Sequence, residues 1–316
     1  MKWHLFWLIL TVLLSPFSSA EKYQSGRLDY DIVVGPWRSE YTLMSFFLMP
    51  GEQVTIRLAG KANNVPFTVQ GENQGESALL SHYTYTARNF AEARTAVDRL
   101  VIRPQGMPAA TLKLFTLTPA SAVSNGTLNG YNIGHYPKQT YKGLEIYKAP
   151  LGFLEITADQ IHEQLSPHYR LGQFLCKQAQ GYPKYVVLQT RLLRKLEFLS
   201  DAANREGYAN EGFVIMSGYR TPFYNAAIKN KLYSRHQWGG AADIYIDENP
   251  RDGVMDDLNK DGKSNIEDAR ALAKLIESVY RSPDYKAFIG GMGLYSATST
   301  HGPFVHVDVR GFKARW

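Results

Sequence analysis

Three segments in the second half of the chain hold polar residues where a strand would put them at one edge of a sheet, and two of them carry side chains able to hold a divalent ion. They are Ser217-Gly-Tyr-Arg220-Thr-Pro-Phe-Tyr-Asn225, Ser234-Arg-His236-Gln-Trp-Gly-Gly-Ala-Ala-Asp243 and His301-Gly-Pro-Phe-Val-His306-Val-Asp308. A zinc ion takes nitrogen and oxygen ligands at about 2 Å in a tetrahedral array, and a catalytic zinc keeps three protein ligands and one open position. Between His236 and Asp243 the run Gly239-Gly240-Ala241-Ala242 has little steric bulk, so the chain can fold back and bring both side chains to one ion. His306 sits in an alternating pattern, with Val305, Val307 and Val309 on one face of a strand and His306 and Asp308 on the other. One face reads as core, the other as polar and convergent.

The elements that must position these residues read as mixed α and β. Val186 to Arg205 carries apolar residues at Val187, Leu188, Leu192, Leu196 and Leu199, a helical stripe. Phe213-Val-Ile-Met216 predicts a short buried strand, as do Ala241 to Ile246 and Phe304 to Val309, and Ile266 to Tyr280 predicts a second helix. Upstream, residues 21–119 are β-rich: Val54 to Leu58, Leu100 to Ile102 and Leu112 to Leu117 are short β-type segments between turns, and predict a small antiparallel sandwich or barrel. Residues 120–155 are rich in Ser, Asn, Gly, Pro and Tyr and read as an extended linker. The expected fold class is therefore α+β, an all-β N-terminal domain followed by a mixed domain over 156–316.

At 316 residues, with 44% hydrophobic and 20% charged side chains, the chain has the length of two globular domains and excludes collagen, coiled coil and wholesale disorder. The formal charge of +6 is scattered, and no nucleic-acid motif accompanies it, so no nucleic-acid partner is expected. Lys2, the apolar run Leu5 to Leu14 and Ser18-Ser19-Ala20 read as a secretory signal over residues 1–20, too short for a membrane span. The mature protein is then expected in the periplasm or secreted, with no stable span after cleavage. Cys176 is the only cysteine, so no intramolecular disulfide forms, and its apolar setting reads as a buried inert thiol.

The order Ser-Gly-Tyr-Arg-Thr-Pro, then Ser-x-His-x-x-Gly-x-Ala-x-Asp, then His-Val-Asp resembles the zinc D-Ala-D-Ala carboxypeptidases of the M15 type, in a clan with lysostaphin-type endopeptidases and the hedgehog domain. The resemblance covers the chain from about Leu165 onward. It implies a hedgehog/D-Ala-D-Ala peptidase-like zinc domain with a small antiparallel sheet and flanking helices. It also implies His236, Asp243 and His306 as zinc ligands, Arg220 over a substrate oxygen, and peptidoglycan stem peptides as substrate. Many relatives carry a Glu a few residues before the last ligand, or a His two before it. Here Phe304 stands two before His306 and no Glu lies in the preceding loop, so His301 is the nearest titratable candidate for general base. Asp308 is expected as the partner that orients His306. Tyr219 and Trp238 are placed either to wall the cleft or simply to pack.

A second ion is suggested by Asp257-Leu-Asn259-Lys-Asp261-Gly-Lys263-Ser-Asn-Ile-Glu-Asp268, which follows the EF-hand calcium spacing, with Asp268 where Glu is usual, as in dockerin-type loops. The expected function is zinc-dependent hydrolysis beside D-alanine. The alternatives are a cross-link endopeptidase and a non-catalytic zinc-containing wall-binding module.

Overall fold

A computed structural model describes residues 23–72, 75–89 and 97–316. The signal sequence read over residues 1–20 lies outside the described residues. The sequence Gly71-Glu-Asn-Gln-Gly75 reads as a turn, and its residues 73 and 74 also lie outside the described residues.

The N-terminal half is built from β1 (Arg27–Val34), β2 (Trp37–Tyr41), β3 (Leu43–Leu48), β4 (Gln53–Gly60), β5 (Phe67–Gly71), β6 (Tyr83–Thr86), β7 (Val97–Pro104) and β8 (Ala110–Thr116). Alternation drives them: in β4, Val54, Ile56 and Leu58 are buried while Gln53, Thr55 and Arg57 face water. One sheet runs β2-β1-β4-β6 and is antiparallel. The other runs β3-β8-β7-β5. Its β3–β8 pair is parallel, a departure from the antiparallel expectation. The chain leaves β3, passes through the first sheet and returns by the β7–β8 hairpin, so β8 enters in the same direction as β3.

The rest is mixed. Short strands β9 (Thr118–Pro119), β10 (Thr127–Leu128), β11 (Tyr131–Asn132), β12 (Gly152–Ile156) and β13 (Lys184–Val186) precede helix α1 (Thr190–Arg205). Then follow β14 (Val214–Ser217), the short helix α2 (Pro222–Ala227), β15 (Ala241–Tyr245), helix α3 (Ile266–Val279), β16 (Gly291–Tyr295), β17 (Phe304–Asp308) and β18 (Ala314–Arg315). Strands β14, β15, β17, β16 and β18 form a five-stranded sheet in that order, antiparallel except for β16–β18. The chain is thus α+β, rich in small sheets and with few helices. Helix α1 begins later than its apolar pattern predicts, because Val186 is committed to the ladder with β12.

Helix α1 holds the two halves together. Leu192, Leu193, Leu196, Phe198 and Leu199 are all buried, wider than one amphipathic stripe, since the helix has neighbours on two sides. Toward β2 and β3, Thr190 donates to the Ser45 carbonyl at 2.8 Å and Arg194 pairs with Glu40 at 2.7 Å. Toward the five-stranded sheet, the fully buried Lys195 donates to the Asp308 carbonyl at 2.7 Å. One apolar cluster accordingly runs from Leu28 to Val309.

His168 ties the start of the second half to the same helix. Its Nδ1 lies 2.6 Å from Glu197, whose second oxygen accepts from the His168 backbone amide, and Tyr23 stacks on its ring. Burial disfavours the imidazolium, but the Glu197 carboxylate outweighs that and raises the pKa above its ordinary 6.5. A raised histidine pKa stabilises the fold fully below the unfolded value, and the contribution is lost as pH rises through the folded one. His168→Gln is therefore predicted to lower the thermal midpoint more at about pH 6 than at about pH 9. Thermal unfolding of both proteins at the two pH values checks this; a deficit independent of pH would show that the charge contributes nothing.

Candidate metal centre

The five-stranded sheet places its polar residues in one row. Ser217 of β14 stands opposite Asp243 of β15, Asp243 opposite His306 of β17, and His306 opposite Gly293 of β16. Directly opposed residues in an antiparallel pair have Cβ atoms about 5 Å apart, so Asp243 and His306 meet without special geometry. His236 arrives from a 3-10 turn, Arg235–Trp238, ended by Gly239 at φ +60°. A Cβ at Gly239 would stand 2.1 Å from the Val187 carbonyl, so only glycine lets this turn dock against the segment between β13 and α1.

The three side chains form a tight triangle. His236 Nε2 lies 3.1 Å from His306 Nδ1 and 3.2 Å from Asp243 Oδ1, and His306 Nδ1 lies 2.9 Å from the same oxygen. Ligands of a tetrahedral zinc at 2.0–2.1 Å stand about 3.3 Å from one another, close to these separations. All three residues are buried, and among the described residues this is the one group of three or more His, Cys, Asp or Glu with ligand atoms mutually within 4.8 Å.

The outer hydrogen bonds determine which nitrogen atoms face inward. His236 Nδ1 is 2.6 Å from the Gly218 carbonyl, an acceptor only, so that nitrogen carries hydrogen and Nε2 presents a lone pair. His306 Nε2 lies 3.3 Å from Asp308 Oδ2, again an acceptor, which leaves Nδ1 bare toward the centre. Two imidazole lone pairs and a carboxylate oxygen then converge, an arrangement that is repulsive until a cation stands among them. A proton is the smallest such cation. Burial lowers the His236 pKa; at His306 burial acts the same way, but the carboxylates of Asp243 and Asp308, which accept from the protonated ring, prevail and raise it. Both carboxylates are buried, yet the two imidazoles hold Asp243 well below the usual carboxylate range, and His306 with Arg310 does the same for Asp308.

Each buried carboxylate also has its own guanidinium. Arg220 Nη2 donates to Asp243 Oδ2 at 2.6 Å and its Nε to Ser217 Oγ at 2.9 Å. Arg310 Nε donates to both Asp308 oxygens, at 3.0 and 2.8 Å, while the Gly291 amide donates to Oδ1. The structure thus puts Arg220 and Asp308 against the ligands, Arg220 on the ligand carboxylate itself. The donor set and its spacing fit a zinc ion, with His236 Nε2, His306 Nδ1 and Asp243 Oδ1 as the atoms that would hold it.

His301 is placed differently. Its Nδ1 lies 2.8 Å from the Gly302 carbonyl and its ring meets the edge of Phe304. Phe304 lines the cleft over the cluster, a cavity of about 410 Å³, and His301 does not. Tyr219 and Trp238 do not line it either: Tyr219 is buried with its hydroxyl 3.1 Å from that of Tyr136, and Trp238 donates to the Lys148 carbonyl. They pack behind the site. The walls come from residues with no local motif: Tyr141 and Tyr147 from the segment read as a linker, then Tyr233, Tyr295, Arg310 and Trp316. Trp316 sits 5.2 Å from the His306 ring, in space kept open because residue 293 is glycine. Arg235, buried and without a carboxylate partner among the described residues, donates to the Ile146 carbonyl and lies over the Tyr147 ring, tying that wall to the His236 turn. Burial pushes its pKa down to about 10.

In the 257–268 loop the carboxylates of Asp257, Asp261 and Asp268 do not form a group with oxygen atoms mutually within 4.8 Å, and their oxygens accept from backbone amides. Asp257 accepts from the Asp261 and Gly262 amides, Asn259 from the Asp261 amide, and Asp261 from the Lys263 amide. Asp268 is fully buried and accepts from the amides of Leu258, Asn259 and Asn265, closing the loop and capping α3.

A scan against protein-family models found no match, and searches of curated proteins and of solved structures found none.

Two outcomes follow from this geometry. Asp308→Asn removes the charge behind His306, and zinc affinity, read by competition with a chromophoric chelator, is expected to fall about 10- to 100-fold. Because ligand nitrogen atoms must be bare to bind metal, affinity is also expected to fall as pH drops through the raised His306 pKa. An affinity flat from about pH 8 to pH 5 would contradict the assignment.

Proposed function

We propose that this protein is an exported zinc peptidase of the M15 type, hydrolysing peptidoglycan stem peptides beside D-alanine. The observation that carries the reading is the convergence of His236 Nε2, His306 Nδ1 and Asp243 Oδ1 at the floor of a cleft. The order of the motifs around these residues supports the substrate class. When bound, zinc supplies Lewis acidity, polarising a carbonyl and bringing the pKa of a coordinated water toward about 7.

The chain's own residues do the rest. Gly218 and Asp308 hold the two imidazoles in the required tautomers. Arg220 lines the cleft beside Asp243 and steadies a carbonyl or carboxylate oxygen of the substrate. Tyr141, Tyr147, Tyr233 and Trp316 narrow the cleft and exclude water from the reacting bond. His301 is assigned to proton transfer; in that role its ring must swing past Phe304 into the cleft.

One observation favours a second reading. Among the residues lining the cleft, Asp243 is the sole carboxylate and His236 and His306 the sole imidazoles, so no carboxylate or imidazole beyond the three faces the substrate. A wall-binding module that keeps zinc for shape has the same lining. The 257–268 loop is assigned a structural calcium ion, supported by its spacing and by the surface position of Asp257 and Asp261; calcium should then raise the thermal midpoint of metal-stripped protein.

Digestion of purified sacculi with and without a zinc chelator separates the readings. Peptidase action predicts released D-alanine or shortened stem peptides, lost with chelator and restored by zinc. His301→Ala is expected to lower turnover by about 100-fold or more with zinc retained. Binding to sacculi with no released product would establish the module instead, and product masses would distinguish removal of a terminal residue from cutting of a cross-link.

A further inference from the structure

A second cavity, of about 450 Å³, opens where β1 and β2 meet the start of α1, and it shares no lining residue with the metal cleft. Its walls carry four guanidinium groups, from Arg27, Arg38, Arg191 and Arg194, against three carboxylates, from Asp31, Glu40 and Asp284. Three pairs account for six of these charges: Arg194 with Glu40 at 2.7 Å, Arg27 with Asp284 at 3.2 Å and Arg38 with Asp31 at 3.6 Å. The cation left over is Arg191, which has no carboxylate in ion-pair reach among the described residues. Its Nε donates to the Ala287 carbonyl, a neutral partner that leaves the charge uncompensated.

Leaving that charge half-buried is unfavourable without an anion. Burial and the neighbouring Arg194 both push the Arg191 pKa down, while Asp308, engaged elsewhere by Arg310, opposes this only in part. The end of α1 that opens here adds to the positive potential, since its first turn holds no acidic residue. A planar guanidinium matches a carboxylate or phosphate group two-pronged. The cavity is larger than a bare ion needs, and Trp37 gives it an apolar wall for a carbon skeleton.

We propose that this cavity binds a small organic oxyanion, a sugar acid or sugar phosphate, with Arg191 as its charge partner. The site joins the N-terminal sheets to the helix that backs the metal strand, so a ligand there bridges the two halves of the chain.

Calorimetric titration of the full-length mature protein with glucuronate, glucose 6-phosphate, inorganic phosphate and uncharged glucose, at constant ionic strength, tests the proposal. At least one of the two sugar anions is expected to bind, with glucose silent; which one binds separates carboxylate from phosphate as the recognised group. Arg191→Gln is expected to weaken binding about tenfold or more, the loss of one charge-assisted contact. Asp284→Asn, on an exposed side chain, frees Arg27 and is expected to tighten binding about twofold without disturbing the fold. No binding by either sugar anion up to roughly 10 mM, or equal affinity in wild type and Arg191→Gln, would overturn it.

Discussion

The site is governed by a single electrostatic constraint. Two imidazole lone pairs and one carboxylate oxygen face one another at 2.9–3.2 Å, electron-rich atoms turned toward one point. The tautomers that create this arrangement are enforced from outside, by the Gly218 carbonyl behind one ring and Asp308 behind the other. Electron-rich atoms at such separations in a water-poor interior call for a cation at their centre. Each carboxylate of the site has a guanidinium of its own, Arg220 on Asp243 and Arg310 on Asp308, while the inward lone pairs of the two imidazoles have none.

The scaffold serves that constraint through register. Placing Ser217, Asp243, His306 and Gly293 in one cross-strand row brings two ligands together and leaves room beside the second for Trp316. Helix α1 backs the row, reaching the Asp308 carbonyl through Lys195 and the N-terminal sheets through Thr190 and Arg194. The β-rich half is therefore packed into the same core as β17.

Much of this is legible in the sequence because it is local. The valine alternation at 305, 307 and 309 gives the side-chain parity of β17, and Gly239-Gly240 marks the tight return that brings His236 to Asp243. What the sequence hides is contact across long separations. Tyr141 and Tyr147 lie in a stretch whose composition reads as a linker, and only the tertiary fold shows them walling the cleft. Tyr219 and Trp238, adjacent to the motifs, point the other way into packing. The spacing of the 257–268 loop is equally plain, but where the oxygens of Asp268 go is decided by three backbone amides, which no side-chain pattern records. The parallel pairing of β3 with β8 escapes for the same reason, since pairing partners are chosen by topology and not by alternation.

The central claim is that a divalent ion sits among His236, Asp243 and His306, and zinc-edge X-ray absorption on the zinc-loaded protein tests it most directly. The account predicts one equivalent of zinc with a first shell of nitrogen and oxygen at about 2.0–2.1 Å, multiple-scattering features of two imidazoles, and no sulfur. A shell containing the Cys176 sulfur, an all-water shell, or a spectrum unchanged in Asp243→Ala would contradict it.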